Sequence, residues 1–145
     1  MKITVEHAEA AENEVILRCP DLDEEMLGVL SLLCSGLRRL CVWDDSRQTT
    51  LLSPGEVVYC ETVDDRVFVY TGQTVYQTAL GLGELESRYG SLGFFRAGKS
   101  SVVNLHRIRS LVSQGGGRIE ATLETGEKLI VSRRYAPLLR ERLGL

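Results

Sequence analysis

Two stretches decide the fold: FFRAGKSSVVNLHRIRSL, residues 94–111, and TGEKLIVSRRYAPLLRERL, residues 125–143. Phe94-Phe95 opens a short apolar segment that ends at Arg96. Ala97 to Ser101 reads as a small, polar, flexible linker. Val102 to Leu105 and Ile108 to Val112 resume the apolar pattern, and Gln114 to Gly117 reads as a loose loop. Arg118 to Leu123 and Lys128 to Val131 flank Glu124-Thr125-Gly126-Glu127, the clearest hairpin in the chain. Ser132 is predicted to cap a last helix carrying Tyr135, Leu138, Leu139 and Arg142, with Gly144 as its stop.

Upstream the pattern is again one of short strands. Leu40 to Trp43 ends at the turn signal Asp44-Asp45, and Thr49 to Leu52 precedes the turn Ser53-Pro54-Gly55. Glu56 to Val63 and Arg66 to Thr71 are β-branched and aromatic, with Asp64-Asp65 as a hairpin turn between them. Val75 to Ala79 reads as another strand. Leu82, Leu85 and Tyr89 then take helical spacing. At the N-terminus, residues 2–7 and 14–18 read as two strands. Asp21 is the expected cap of a helix, with Glu24 completing a capping box and Gly36 as the stop. Leu22, Met26, Val29, Leu30 and Leu33 mark that helix's apolar face. The whole is mainly β with short helices (α+β), preceded by a strand-strand-helix element over residues 1–45. That element is too small for a core of its own. It serves dimerisation or partner docking, or packs on its own β domain.

The 145 residues are 43% hydrophobic and 26% charged, the balance of a globular protein with a core. No stretch approaches the roughly 20 apolar residues of a membrane span. The opening MKITVEHAEAAENE carries no apolar signal segment, so a cytoplasmic protein is expected. Cys19, Cys34, Cys41 and Cys60 form no C-x-x-C pair, and neither His7 nor His106 stands beside one of them. No metal or other cofactor is expected, and the thiols read as reduced and mostly buried.

An enzyme finds no support in these residues. There is no G-x-S-x-G elbow, and Gly115-Gly116-Gly117 lacks the Lys-Ser/Thr of a phosphate loop. Asp64-Asp65 is a carboxylate pair, but Asp is favoured in turns for backbone reasons. No small-molecule substrate is implied.

Charge is more informative. Residues 1–90 hold 16 acidic and 7 basic side chains, net −9, whereas residues 91–145 hold 4 and 10, net +6. A basic third on an acidic chain is a candidate footprint for a polyanion. Arg96 and Lys99 flank a glycine-containing connection, and Arg133-Arg134 follow Ser132. Such positions can reach a groove and offer N–H groups to phosphate. Any one of these arginines alone reads as a solvated surface charge. No helix-turn-helix pattern is visible.

The two opening stretches resemble the LytTR DNA-binding domain of bacterial response regulators. The resemblance rests on Phe95, Arg96, Ser100, Val103-Asn104, Thr125-Gly126 and Ser132-Arg133-Arg134-Tyr135. Upstream, Val57 to Glu61 resembles the family's first strand and Leu82 to Leu85 its short helix. It covers about residues 46–145, two thirds of the chain. The resemblance implies a mostly β domain that reads direct-repeat sites in double-stranded DNA through loops in the major groove. It implies contacts from Asp64, Asp65 and Arg66, from Arg96 to Ser100, and from Ser132 to Arg134. On this reading Lys99 and Arg134 reach bases, while Arg66, Arg96, Ser100 and Arg133 hold phosphates. Asn104 would hydrogen-bond backbone within the sheet. Lys99 stands where the family often has Arg or Asn, and Gly98 where His is common. Asp65 would need a cytosine amino group or would repel phosphate. Lacking a receiver domain, the chain resembles stand-alone regulators encoded beside a small membrane protein that controls them, and a homodimer is expected. The competing reading is a non-catalytic interaction module with a non-specific basic patch.

Overall fold

Doublets of apolar residues set the architecture. Val57-Val58, Phe94-Phe95 and Val102-Val103 each send neighbours to opposite faces of a strand, and all six are buried. Strands of this kind need cover on both sides. The computed structural model describes residues 1–145, the side chain of Leu37 excepted. Its strands are β1 (Leu40–Trp43), β2 (Thr49–Leu52), β3 (Val57–Val63), β4 (Arg66–Thr71), β5 (Val75–Thr78), β6 (Phe94–Gly98), β7 (Ser101–Asn104), β8 (Ile108–Ser113), β9 (Ile119–Leu123) and β10 (Lys128–Val131). The helices are α1 (Glu24–Leu37), α2 (Leu82–Tyr89) and α3 (Ala136–Leu143).

Seven strands form one sheet in the order β2-β1-β5-β4-β3-β7-β6, and three form a second in the order β10-β9-β8. All pairings are antiparallel. One face of the large sheet packs Leu40, Val42, Val57, Val69, Phe94 and Val102 against Leu82, Leu85 and Tyr89 of α2. The other face, at Val58, Phe95, Ala97 and Val103, meets Ile119, Leu123 and Val131 of the small sheet and Ala136 and Leu139 of α3. Fully burying each large apolar side chain contributes about 1.5–3 kcal/mol. Asn104 is the one buried amide among these strands, 1% exposed. Its Nδ2 donates to the Val57 carbonyl at 2.8 Å and its Oδ1 accepts from His106 N–H at 3.1 Å. It holds the turn after β7 to the start of β3, as the sequence suggested.

The N-terminal reading is corrected in several places. Residues 2–7 and 14–18 form no strand and leave Ile3, Val5, Val15 and Ile16 exposed. Residues 2–7 alternate and 14–18 form an apolar run, but no neighbouring strand lies beside either to complete a ladder. The cap of α1 is Asp23, whose carboxylate accepts from Met26 N–H, not Asp21. Leu22 therefore lies outside the helix, 55% exposed. The helix runs past Gly36 and ends at Arg38, which takes a left-handed conformation (φ 52°). Of the apolar stripe only Met26 is buried, with Val29, Leu30 and Leu33 half-buried. β1, immediately after, belongs to the large sheet through β5 and β2.

The thiols also differ from expectation. Cys60 is buried, and burial pushes its pKa up to about 12, but Cys19, Cys34 and Cys41 are only half-buried. No helix is long and apolar enough to cross a membrane.

Candidate nucleic-acid interface

β3 and β4 are joined by two residues, Asp64 and Asp65, inside the closing pair Val63–Arg66. Both have positive φ, 51° and 61°. That is the turn whose twist matches the flanking strands, and Asp tolerates it better than most residues. Both carboxylates and Arg66 are exposed.

The β6–β7 connection is not the flexible linker that its composition suggests. Ala97 and Gly98 belong to β6 and are buried, and only Lys99 and Ser100 form the turn. A bulge shifts the register between Arg96 and Gly98. The Arg96 guanidinium folds over the turn, with Nε donating to the Gly98 carbonyl at 2.7 Å and Nη2 to the Lys99 carbonyl at 2.9 Å. An arginine thus satisfies carbonyls that a composition-based reading leaves to solvent. Lys99 and Ser100 are presented outward.

The third connection also differs from its sequence reading. Ser132 does not cap α3. The helix begins at Ala136 with Tyr135 in the capping position and no side-chain cap. The Ser132 carbonyl instead accepts from the N–H groups of Tyr135 and Ala136, which makes Ser132 to Tyr135 a tight turn. Arg133 and Arg134 project from it, both exposed.

Two backbone hydrogen bonds draw the three connections together. Thr62 N–H donates to the Ser100 carbonyl at 2.9 Å, joining the Lys99-Ser100 turn to the strand that leads into Asp64. Ser132 N–H donates to the Ala97 carbonyl at 2.8 Å, joining the Arg133-Arg134 turn to β6. One end of the molecule therefore carries Asp64, Asp65, Arg66, Lys99, Ser100, Arg133 and Arg134. Arg96 stands behind them as a clamp rather than among them.

Sequence reading missed Arg118. Val131 pairs with Ile119, so the loop before β9 lies beside the Ser132 turn. Gly117 (φ 77°) passes so close that a Cβ there would meet Arg133 Cγ at 3.1 Å. Arg118 is exposed on this loop. The available signal was a basic residue closing a glycine run opposite Ser132 in the final hairpin.

Several charges elsewhere are engaged, although among the described residues Arg47 and Arg109 also stand in no ion pair. Arg107 bonds Glu124 and the Gly55 carbonyl, Lys128 pairs with Glu120, and Arg88 with Glu84. Among the described residues, none of Arg66, Lys99, Arg133 and Arg134 stands in an ion pair. Arg134 lies over the Tyr135 ring, 5.5 Å from its centroid, a contact that orients a guanidinium without neutralising it. Such cations on short, closed turns suit the phosphates and base edges of a duplex.

A family model described as the LytTr DNA-binding domain matches residues 47–144. The chain belongs to the LytTR DNA-binding domain family. Among curated relatives, the sensory transduction protein LytT of Enterococcus faecalis is 27% identical over 96 residues, covering 66% of this chain and 39% of that protein. The chain thus spans about two fifths of that relative's length. An HTH-type transcriptional regulator of Staphylococcus aureus strain MSSA476 is 21% identical over 140 residues, covering 96% of this chain and 95% of that protein. The solved LytTr DNA-binding domain of a Bacillus cereus response regulator has the same fold, with a TM-score of 0.69 at 21% identity. It covers 74% of this chain and 98% of its own.

In this LytTR protein no two helices form a helix-turn-helix. Five strands separate α1 from α2, and five more separate α2 from α3. Lys99, Arg133 and Arg134 are carried by turns, and Arg66 opens β4 directly after one. Among the described residues no cluster of His, Cys, Asp and Glu could hold a metal ion.

Proposed function

We propose that this LytTR protein is a transcription regulator that reads direct-repeat sites in double-stranded DNA through turns in the major groove. The observation that carries this reading is the set of unpaired cations on adjoining turns, Arg66, Lys99, Arg133 and Arg134. Lys99 and Arg134 reach base edges in successive grooves, since Arg and Lys are the side chains best matched to guanine O6 and N7. Arg66, Ser100 and Arg133 hold phosphates. Arg96 contributes by fixing the Lys99-Ser100 turn. Asp65 accepts from a cytosine amino group or keeps phosphate away. Two copies act on two half-sites, so the working form is a homodimer in the cytoplasm. Leu22, Leu27 and Leu32, exposed on and beside α1, leave the N-terminal element open to a second copy or to a small membrane-protein regulator.

The test is selection of random duplex DNA by the purified full chain at near-physiological salt. Recovery of two direct half-sites about one helical turn apart is expected. Recovery of no motif, with binding abolished by modest salt, would overturn the reading in favour of a non-specific basic patch.

A further inference from the structure

The ends of α1 and α2 lie side by side. Arg38, in the left-handed conformation that closes α1, reaches across with Nη2 to the Arg88 carbonyl at 3.3 Å and the Ser91 hydroxyl at 3.2 Å. Tyr89, at the end of α2, donates its hydroxyl to the Arg39 carbonyl at 3.2 Å. Between these ends is an open cavity of about 490 Å³, lined by Ser31, Cys34 and Ser35 of α1, by Arg38 and Arg39, and by Arg88 and Tyr89 of α2. Three arginines and two serines thus line one space, and no carboxylate among the described residues does. Helix C-termini attract cations, but at α2 that need is already met: the Arg88 and Gly90 carbonyls accept from Arg38 and Arg142. Among the described residues neither Arg38 nor Arg39 stands in an ion pair. Arg88 meets only Glu84, at 3.7 Å and with both side chains more than half exposed, a pairing that contributes little. Glu24 and Glu25 stand at the far end of the 14-residue α1, about 20 Å away along its axis.

We propose that this cavity binds a small phosphorylated molecule carrying at least two phosphate groups. Its size falls within the roughly 300–1,000 Å³ of small-molecule sites, but its lining is cationic where theirs is mostly apolar. A guanidinium matches phosphate oxygens with paired N–H groups and keeps its charge at physiological pH. Arg39 and Arg88 bring such groups from two different elements, and Ser31 and Ser35 add hydroxyl donors. A single phosphate would leave part of the charge of three arginines unanswered; two or more balance it. The bound molecule ties the end of α1 to the end of α2. The site stands apart from the turns proposed to read DNA. Arg88 and Tyr89 precede β6 and Lys99 follows it, and a strand of that length spans about 17 Å. Ser31 to Arg39 also precede the matched LytTR segment, which begins at residue 47, so the inference does not depend on how DNA is read.

The test records amide correlation spectra of the nitrogen-labelled full chain during titration with inorganic pyrophosphate, at an ionic strength held constant with sodium chloride. Saturable shifts at Ser31, Ser35, Arg39 and Arg88 are expected, and at lower concentration than with sulfate. Arg39→Gln combined with Arg88→Gln should raise the apparent Kd about tenfold or more. So should Ser31→Glu, which sets a carboxylate in the cavity wall. Well-dispersed spectra report an intact fold in each variant. Shifts confined to Lys99, Arg133 and Arg134, the absence of saturation, or an unchanged titration in the folded variants would each overturn the proposal. Tighter saturation by a peptide of residues 6–25, rich in carboxylates, would overturn it too, in favour of docking by the acidic segment of a second copy.

Discussion

Arg96 and Lys99 stand three residues apart and do different things. Arg96 spends its guanidinium on the carbonyls of Gly98 and Lys99, while Lys99 is exposed at the turn's tip. Their substitutions should therefore separate. Lys99→Ala and Arg134→Ala should each weaken binding to a selected site by about 1–3 kcal/mol and relax base preference at one position. Arg66→Ala and Arg133→Ala should weaken all sequences alike and lower the salt slope by about one. Fluorescence anisotropy on matched and mismatched duplexes reads both. Asn104 gives a purely structural counterpart. Asn104→Ala leaves the Val57 carbonyl and His106 N–H without their partner, a loss of about 1–3 kcal/mol of stability, read as a fall in urea midpoint with no change in base preference. Tyr70 supplies a pH dependence. Its half-buried hydroxyl donates to the Glu61 carboxylate, and burial together with that bond raises its pKa to about 12. The folded state thus favours the neutral phenol. Stability from this group is complete below pH 10, where the unfolded chain is also protonated, and is lost as pH rises through 12. Urea melts from pH 8 to 11 should show a steeper alkaline decline in the parent than in Tyr70→Phe.

At the scale of elements, β4 and α2 were legible to the residue, because a dense β-branched run and a clean 3.6-residue spacing leave little choice. The N-terminal strands were not. Strand preference is a preference for a pleated, half-buried surface, and residues 2–7 and 14–18 have no neighbour to supply one. The geometry of the candidate interface was half legible. Basic residues at Lys99 and Arg133-Arg134 could be seen, but the clamp by Arg96 could not, since it depends on a bulge that sequence does not mark. Ser132 was misread for a related reason: a serine before a helix usually caps with its side chain, whereas here the backbone carbonyl takes that part. The position of β1 bears on where the domain can be cut. Leu40 and Val42 are fully buried in the large-sheet core, about 1.5–3 kcal/mol each, a sizeable part of the roughly 5–15 kcal/mol that holds a domain. A chain of residues 39–145 should melt cooperatively, whereas residues 46–145 should lose the sharp transition in circular dichroism.

For the whole molecule, the two cores share one set of strands. β3, β6 and β7 send alternate side chains into each, so the helix on one face and the small sheet on the other cannot shift independently. The turns proposed to face DNA hang from this shared layer. On that proposal a domain without a recognition helix holds its contact groups in register because the strands fix spacing, and the turns, of two to four residues, add little freedom. The acidic N-terminal portion, net −9 over residues 1–90, faces no such constraint before Asp23.

The clamp at Arg96 has a thermodynamic corollary. A turn whose carbonyls are already engaged has little left to order when a duplex arrives. Calorimetric titration at several temperatures should accordingly give a heat-capacity decrement in keeping with rigid docking, without the excess that accompanies coupled folding. In Arg96→Ala the decrement should grow more negative, and the entropy of association less favourable, as the loosened turn is ordered by the DNA itself.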